Sequence, residues 1–131
     1  MTSLRVFIAG SGRQSIAAAN DLLKFQPGSS ITFSDTSPGQ VERAAARLRE
    51  LSPEAAVECH VGDVENAPAT AVAMEGHDVA LAGVPYHLNP AVHAAARRCE
   101  IPSVDMGSDL PDLEAELGVR SSEQGTVAVF D

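Results

Sequence analysis

Two features of this sequence could bind a nucleotide: a glycine-rich turn and a carboxylate that follows it. The turn, GSGRQS at 10–15, lies between an apolar run at 4–9 and an alanine-rich segment. About twenty residues after the turn, a second apolar run at 31–34 ends at Asp35. Backbone N–H groups at the start of a helix bind phosphate oxygens, and a carboxylate at this distance accepts hydrogen bonds from ribose. The pattern therefore predicts a strand–helix–strand unit that binds a dinucleotide.

The individual positions of the turn fit this chemistry. Gly10 lets the chain turn sharply, and Gly12 leaves room where a pyrophosphate would touch the backbone. Ser15 stands where a third glycine usually lies, and because serine is small we expect slightly tighter helix–strand contact rather than loss of binding. An ordinary tight turn between a strand and a helix is the alternative interpretation.

Asp35 predicts the type of dinucleotide. Its carboxylate could accept hydrogen bonds from both ribose hydroxyls of an adenosine, each contributing roughly 1.5–3 kcal/mol. The same carboxylate would repel a 2′-phosphate, and the next basic residue is Arg43, within the predicted second helix. We therefore predict that NAD is preferred over NADP. A solvated or helix-capping role for Asp35 is the alternative.

Composition limits the range of functions. The chain has 131 residues, 44% of them hydrophobic and 4% aromatic, which predicts one compact domain. Its 18 acidic and 9 basic residues give a net charge of −9, which argues against nucleic acid or an anionic membrane as partner. A single dinucleotide remains compatible with this charge, because backbone N–H groups can hold its phosphates.

Cysteine usage and the N-terminus indicate a cytoplasmic protein. Cys59 and Cys99 form no CxxC pair, so we expect two reduced, mostly buried thiols. No run approaches the roughly 18 apolar residues of a membrane span. The sequence passes from Met1-Thr2-Ser3 directly into the predicted first strand, without the pattern of a signal peptide.

Strand and helix patterns alternate along the whole chain, with Ser37 and Asn66 as predicted helix caps. This alternation predicts an α/β Rossmann fold: a doubly wound parallel sheet in three layers, with strand order 3-2-1-4-5-6. The predicted strands lie at 4–9, 31–34, 55–61, 78–82, 103–105 and 126–130, and the predicted helices at about 13–25, 38–52, 66–74, from 89 onward and 109–117.

In such a sheet the ligand lies at the carboxyl ends of the strands, which adds further candidates. Asp63 and Val64 would flank the adenine, although Asp63 could equally cap the next helix. Residues 83–86 would pass over the pyrophosphate and the nicotinamide ribose, and Asp105 and Gly107 would lie on the nicotinamide side. The predicted cofactor-binding residues are Gly10, Ser11, Gly12, Arg13, Gln14, Asp35, Thr36, Asp63, Val64, Gly83, Val84, Pro85 and Tyr86.

We expect neither catalytic residues nor a metal site in this chain. None of the four histidines has an evident catalytic partner: His87 lies nearest the predicted cleft, and His93, on a helix, is expected at the surface. Tyr86 is the only tyrosine and position 90 is proline, so the Tyr-xxx-Lys pair of short-chain reductases is absent. No paired metal-ligand spacing occurs.

The sequence resembles saccharopine dehydrogenase-like proteins, which include lysine 6-dehydrogenases. Residues 10–22, GSGRQSIAAANDL, resemble the GxGRQGxAxAxDL opening of that family, from which Ser15 departs. VPYHLN at 84–89, the most specific part, and VDMG at 104–107 also resemble family segments, as do Asp35 and the Asp-Val pair after the third strand. The resemblance covers nearly the whole chain.

This resemblance implies an N-terminal cofactor domain of an oxidoreductase. Family members oxidise or reduce a C–N bond of an amino acid such as saccharopine or lysine, passing hydride to or from a nicotinamide. They continue into a second domain that binds substrate and dimerises, whereas this chain stops at Asp131. We therefore expect the isolated domain to hold a cofactor without turning over substrate, and leave open both a homodimer and an acyl-chain-reductase relative.

Two other classes share parts of the pattern. Regulatory nucleotide-sensing domains, like those that gate potassium transport, have the glycine turn and both acids at similar length. The segments at 84–89 and 104–107 favour the dehydrogenase. S-adenosylmethionine methyltransferases usually carry an acidic residue just before the first glycine, where this chain has Ile8-Ala9.

Overall fold

The structure, a computed structural model, describes residues 3–106. In this part of the chain, five strands alternate with four helices and one short 3-10 turn over Tyr86–Leu88. The strands are β1 (Arg5–Ala9), β2 (Ser30–Asp35), β3 (Ala56–Val61), β4 (Val79–Ala82) and β5 (Ser103–Asp105). The helices are α1 (Arg13–Phe25), α2 (Pro38–Leu51), α3 (Ala67–Met74) and α4 (Asn89–Arg98).

The strands form one parallel sheet in the order β3-β2-β1-β4-β5. This confirms the predicted doubly wound α/β fold. Because β1 pairs with both β2 and β4, the strand order reverses beside β1, where such sheets bind their ligands. The predicted helix at 109–117 and strand at 126–130 lie outside the described residues.

Apolar side chains cover both faces of the central strand, as parallel strands require. Val6 and Ile8 point to one face and pack with Phe33 of β2 and with α1 and α2. Phe7 points to the other face and packs with Met74 and with α4. The predicted apolar stripe of α2 is confirmed, since its members are buried: Val41, Ala44, Ala45 and Leu48.

Both predicted helix caps are confirmed. The Ser37 hydroxyl accepts a hydrogen bond from the Gln40 N–H (3.3 Å), and the Asn66 side-chain carbonyl accepts one from the Ala69 N–H (3.2 Å). Each cap binds an N–H group in the first turn of its helix, where N–H groups have no carbonyl four residues earlier within the helix, and each helix also has proline there. These caps fix where α2 and α3 begin, directly after the loops that border the site.

The face of the sheet under α3 and α4 carries polar pairs, two of them buried, as well as apolar contacts. A histidine is hydrogen-bonded to a strand hydroxyl in three pairs: Thr32 with His77 (2.9 Å), Ser34 with His60 (2.9 Å) and Ser103 with His93 (2.6 Å). The prediction that His93 lies at the surface is therefore wrong, because it is only 3% exposed. Its helix turns it toward hydroxyl and carboxylate partners on β5.

The cysteine prediction is wrong for one of the two thiols. Cys59 is exposed because it lies on β3, which is the edge strand beside β2 in the described sheet. Cys99 is half-buried and its thiol donates to the Ala71 carbonyl oxygen (3.0 Å).

Small residues allow the tips of β1, β4 and α1 to approach one another. Gly10 has a φ of +97°, and a Cβ atom there would collide with the Gly83 carbonyl oxygen. A Cβ atom on Gly83 would in turn collide with the Ser15 hydroxyl, which is buried and has no hydrogen-bond partner among the described residues. The larger residue in the third glycine position is thus accommodated by a glycine directly after β4.

No helix within residues 3–106 combines the length and apolar character needed to cross a bilayer.

Candidate functional site

A cleft of about 440 Å³ opens at the carboxyl ends of the central strands, at the predicted position. Its lining brings together most of the residues predicted from the sequence, from four separate loops. The residues that line it are Gly10, Ser11, Gly12, Ser34, Asp35, Thr36, Gln40, Gly62, Asp63, Val64, Gly83, Val84, Pro85 and Leu88.

Three predicted residues do not line this cleft. Arg13 and Gln14 belong to the first turn of α1 and are exposed. Tyr86 is 50% exposed and packs edge-on against His87, with ring centroids 6.0 Å apart. The 3-10 turn after Pro85 directs Leu88, rather than Tyr86, into the cleft wall.

Four lining residues were missed in the sequence analysis: Ser34, Gln40, Gly62 and Leu88. Ser34 directly precedes Asp35, and Gly62 directly precedes Asp63, so their places at strand ends offered a signal. Gln40 offered a weaker signal, because only the first turn of α2 brings it toward the cleft.

The start of α1 can bind an anion. Gly12 occupies the N-cap position in an extended conformation, no side chain caps the helix, and its first turn contains no acidic residue. A Cβ atom on Gly12 would meet nothing within 4 Å, so it borders open space rather than protein. First-turn N–H groups and the positive end of the helix dipole therefore face an open space that a pyrophosphate could enter.

Asp35 is held in place by donors from two directions. Its Oδ2 accepts a hydrogen bond from the Ser11 hydroxyl (2.6 Å), and its Oδ1 accepts one from the Thr36 N–H (2.7 Å). Backbone contacts fix the surrounding strand ends, since Gly10 donates to the Ser34 carbonyl (2.7 Å) and Gly62 to that of Asp35 (2.9 Å). The carboxylate is half-buried and lines the cleft between the turn and the loop after β3.

The loop after β3 resolves part of the ambiguity about Asp63. Asn66, not Asp63, caps α3, whereas the Asp63 carboxylate accepts a hydrogen bond from the Glu65 N–H (2.9 Å). The Asp63 carbonyl accepts from the Asn66 N–H (3.0 Å) and the Thr70 hydroxyl (3.2 Å). Val64 is buried. Asp63 thus stabilises the loop while its exposed carboxylate lines the cleft.

A second cluster of polar side chains lies in the core. His93 Nε2 is 2.8 Å from Asp105 Oδ2, and Nδ1 of the same ring is 2.6 Å from the Ser103 hydroxyl. All three residues are at most 5% exposed, so substrate cannot reach them from solvent. Sequence spacing carried no signal for this cluster, because it depends on how α4 crosses β5. Within residues 3–106, no group of three or more His, Cys, Asp or Glu could hold a metal ion.

Comparison with solved structures supports the fold. Saccharopine dehydrogenase (L-Glu forming) from Saccharomyces cerevisiae is 20% identical, with a TM-score of 0.66 over 86% of this chain and 23% of that one. Pen from Bacillus thuringiensis is 13% identical, with a TM-score of 0.80 over 98% of this chain and 49% of that one. The tRNA N6-threonylcarbamoyladenosine dehydratase TcdA from E. coli, solved with ATP, is 22% identical, with a TM-score of 0.66 over 80% of this chain and 51% of that one. The chain thus spans 23% to 51% of the length of these proteins.

Comparison with protein families gives a more specific result. No curated protein matches the sequence significantly. Residues 6–129 match the family described as the saccharopine dehydrogenase NADP binding domain. The matched range includes the glycine turn and the acidic residues at the strand ends. This confirms the resemblance drawn from those segments. The chain therefore belongs to the saccharopine dehydrogenase NADP binding domain family, and its fold is that of a dinucleotide-binding Rossmann domain.

Proposed function

We propose that the cleft binds a nicotinamide dinucleotide, with its pyrophosphate at the start of α1 and its adenosine ribose at Asp35. One observation carries this proposal: the open N-terminus of α1 and a fixed carboxylate line the same cleft. The phosphates of one ligand would then bind the N–H groups at the start of α1, while its ribose donates hydrogen bonds to the Asp35 carboxylate. Membership of the family supports the nicotinamide type of cofactor.

We further propose that NAD binds more tightly than NADP. An ionised Asp35 attracts ribose hydroxyls and repels a 2′-phosphate, and the described residues that line the cleft include no Lys or Arg to offset that repulsion. The family description names NADP, so this preference is a property proposed for the present chain on the strength of Asp35.

The bound dinucleotide would supply the hydride donor or acceptor. The residues of this chain would bind and orient it: N–H groups at α1 hold the phosphates, and Asp35 holds the ribose. We propose that the reaction is oxidation or reduction of a C–N bond in an amino acid. The residues that bind the substrate and those that catalyse the reaction would lie in a second domain. Supporting this division, the chain spans only 23% of the yeast saccharopine dehydrogenase that it resembles in fold.

Calorimetric titration of the domain with NAD, NADP, ATP and S-adenosylmethionine tests this function. We expect NAD to bind most tightly and NADP more weakly. ATP binding most tightly would contradict the proposal and favour a regulatory nucleotide-sensing domain. S-adenosylmethionine binding most tightly would favour a methyltransferase. The cytoplasmic location and the absence of nucleic acid partners stay predictions from the sequence.

A further inference from the structure

Ser11 was assigned to the phosphate-binding turn, but its hydroxyl makes a different contact. It donates to Asp35 across the tips of β1 and β2. We propose that Ser11 is a positioning residue: it orients the Asp35 carboxylate for the ribose diol, and thereby sets the discrimination between a 2′-hydroxyl and a 2′-phosphate. This inference rests on the proposed function, because it concerns the cofactor that the cleft would bind.

The geometry of the contact is that of a strong hydrogen bond. The Ser11 Oγ lies 2.6 Å from Asp35 Oδ2, within the roughly 2.5–2.7 Å range of hydroxyl–carboxylate bonds. An ionised carboxylate only accepts, so the serine must be the donor. Ser11 is 4% exposed, which limits competition from water for this bond.

The remaining acceptor positions of Asp35 match a diol. A carboxylate has about four lone-pair positions, two on each oxygen. Ser11 occupies one on Oδ2, and the Thr36 N–H occupies one on Oδ1 (2.7 Å), while the Thr36 hydroxyl lies at a long 3.4 Å. One acceptor position therefore remains on Oδ2, and the second position on Oδ1 is taken only by the long Thr36 hydroxyl contact, which a ribose hydroxyl could displace. Two neighbouring ribose hydroxyls could donate one bond to each oxygen.

Loss of the Ser11 hydroxyl would release one oxygen of the carboxylate. The aspartate χ2 torsion has a broad energy profile, so the remaining contacts from Thr36, which both reach the other oxygen, fix it more weakly. A carboxylate free to rotate would meet the diol less often and would repel a 2′-phosphate less. NAD binding would weaken more than NADP binding, so the dissociation constant of NADP divided by that of NAD would fall.

Direct contact between Ser11 and the pyrophosphate is the competing explanation. The two dinucleotides share the same pyrophosphate, so loss of such a contact would weaken both equally. It would also weaken binding whether or not Asp35 is present. These two differences separate the explanations in one set of titrations.

The experiment titrates NAD and NADP into the domain and into the variants Ser11→Ala, Ser11→Thr, Asp35→Ala and Ser11→Ala/Asp35→Ala. We expect Ser11→Ala to weaken NAD about tenfold and NADP less, and to have no further effect once Asp35 is absent. Ser11→Thr keeps the hydroxyl and should restore the preference. Ser29→Ala is the control: it removes a buried serine hydroxyl that lies outside the cleft lining and accepts a hydrogen bond from the Leu4 N–H, and it should leave the NAD-to-NADP ratio unchanged.

A second measurement tests the bond without any ligand. In the domain labelled with ¹³C-aspartate, the Asp35 carboxyl resonance, assigned by its loss in Asp35→Ala, should shift in Ser11→Ala and stay in place in Ser29→Ala. Equal weakening of both dinucleotides by Ser11→Ala, or an unmoved resonance, would overturn the proposal. A wild-type domain that binds neither dinucleotide would instead refute the proposed function, even where the resonance shifts.

Discussion

His93 Nε2 lies 2.8 Å from Asp105 Oδ2, and the two side chains are 4% and 0% exposed. This contact joins α4 to the end of β5. The hydroxyl of Ser103, two residues earlier on the same strand, is hydrogen-bonded to the other nitrogen of the His93 ring. Polar atoms removed from water in this way must keep their partners, because an unsatisfied buried group is costly. The pair therefore makes the packing of α4 on β5 specific.

Breaking this pair should destabilise the domain. We expect His93→Leu to lower the free energy of unfolding by about 3 kcal/mol, since it leaves the Asp105 carboxylate buried with one partner fewer. Urea unfolding followed by circular dichroism measures the change. Asp105→Asn should also be costly, and the double variant should cost less than the sum. Strictly additive losses would contradict the proposed coupling.

Gly83 and Ser15 should compensate for each other. Gly83→Ala places a methyl group against the Ser15 hydroxyl, so we expect a loss of about 1–3 kcal/mol in stability. Ser15→Gly removes that hydroxyl, and the double variant should recover part of the loss. Thermal unfolding of the single and double variants measures this recovery. A double variant no more stable than Gly83→Ala would contradict the close contact.

The two glycines of the turn should respond oppositely to substitution. A Cβ atom at Gly12 would meet nothing within 4 Å, so we expect Gly12→Val to keep near-normal stability and to lose dinucleotide binding. Gly10→Ala forces a side chain onto a φ of +97° and against the Gly83 carbonyl, so we expect marked destabilisation. Thermal unfolding and calorimetry, run on both variants, separate the two effects. Normal dinucleotide binding by Gly12→Val would contradict the proposed phosphate position.

Removal of the Asp35 carboxylate should change cofactor preference. We expect Asp35→Ala to weaken NAD by about 1–3 kcal/mol and to improve NADP relative to NAD, because both the ribose bonds and the repulsion are lost. Calorimetric titration with the two dinucleotides measures the ratio. Asp63→Ala serves as control, since it removes a cleft-lining carboxylate predicted at the adenine, which NAD and NADP share. An unchanged ratio in Asp35→Ala would place the ribose elsewhere.

The two thiols should differ in reactivity. Burial, assisted by the negative charge of Glu75, raises the pKa of the Cys99 thiol above its usual value, so less of it is thiolate at a given pH. Cys59 is exposed. Reaction with a thiol-specific disulfide reagent at pH 8 should therefore modify Cys59 first and Cys99 slowly, and urea should remove the difference. Cys59→Ser should abolish the fast phase; its persistence would contradict this assignment.

Local patterns were sufficient to predict the fold. The stripe of α2, its Ser37 cap and the apolar runs of the central strands each reflect a periodicity that short segments carry in themselves. Parallel pairing then brings the ends of those strands to one edge, so the positions of Gly10 and Asp35 in one cleft followed from topology. This is why most of the site was predictable.

Partner identities were not predictable in the same way. Burial of His93 depends on β5 presenting Ser103 and Asp105 toward α4, and exposure of Cys59 depends on β3 lying at an edge. The Ser11–Asp35 bond depends on the directions of two side chains, one directly after β1 and one at the end of β2, that are 24 residues apart. Each of these features depends on how segments distant in sequence are placed in three dimensions, which residue types and local spacing do not encode.

The three histidine–hydroxyl pairs under α3 and α4 also bear on how the strands align. Because side chains alternate along a strand, sliding β2 by one residue would turn Thr32 and Ser34 toward the apolar layer of α1 and α2. The misaligned chain would bury two hydroxyls in hydrocarbon and leave His77 and His60 without them. An all-apolar face would tolerate such slippage far better, so the two pairs on β2 penalise a slip of one residue.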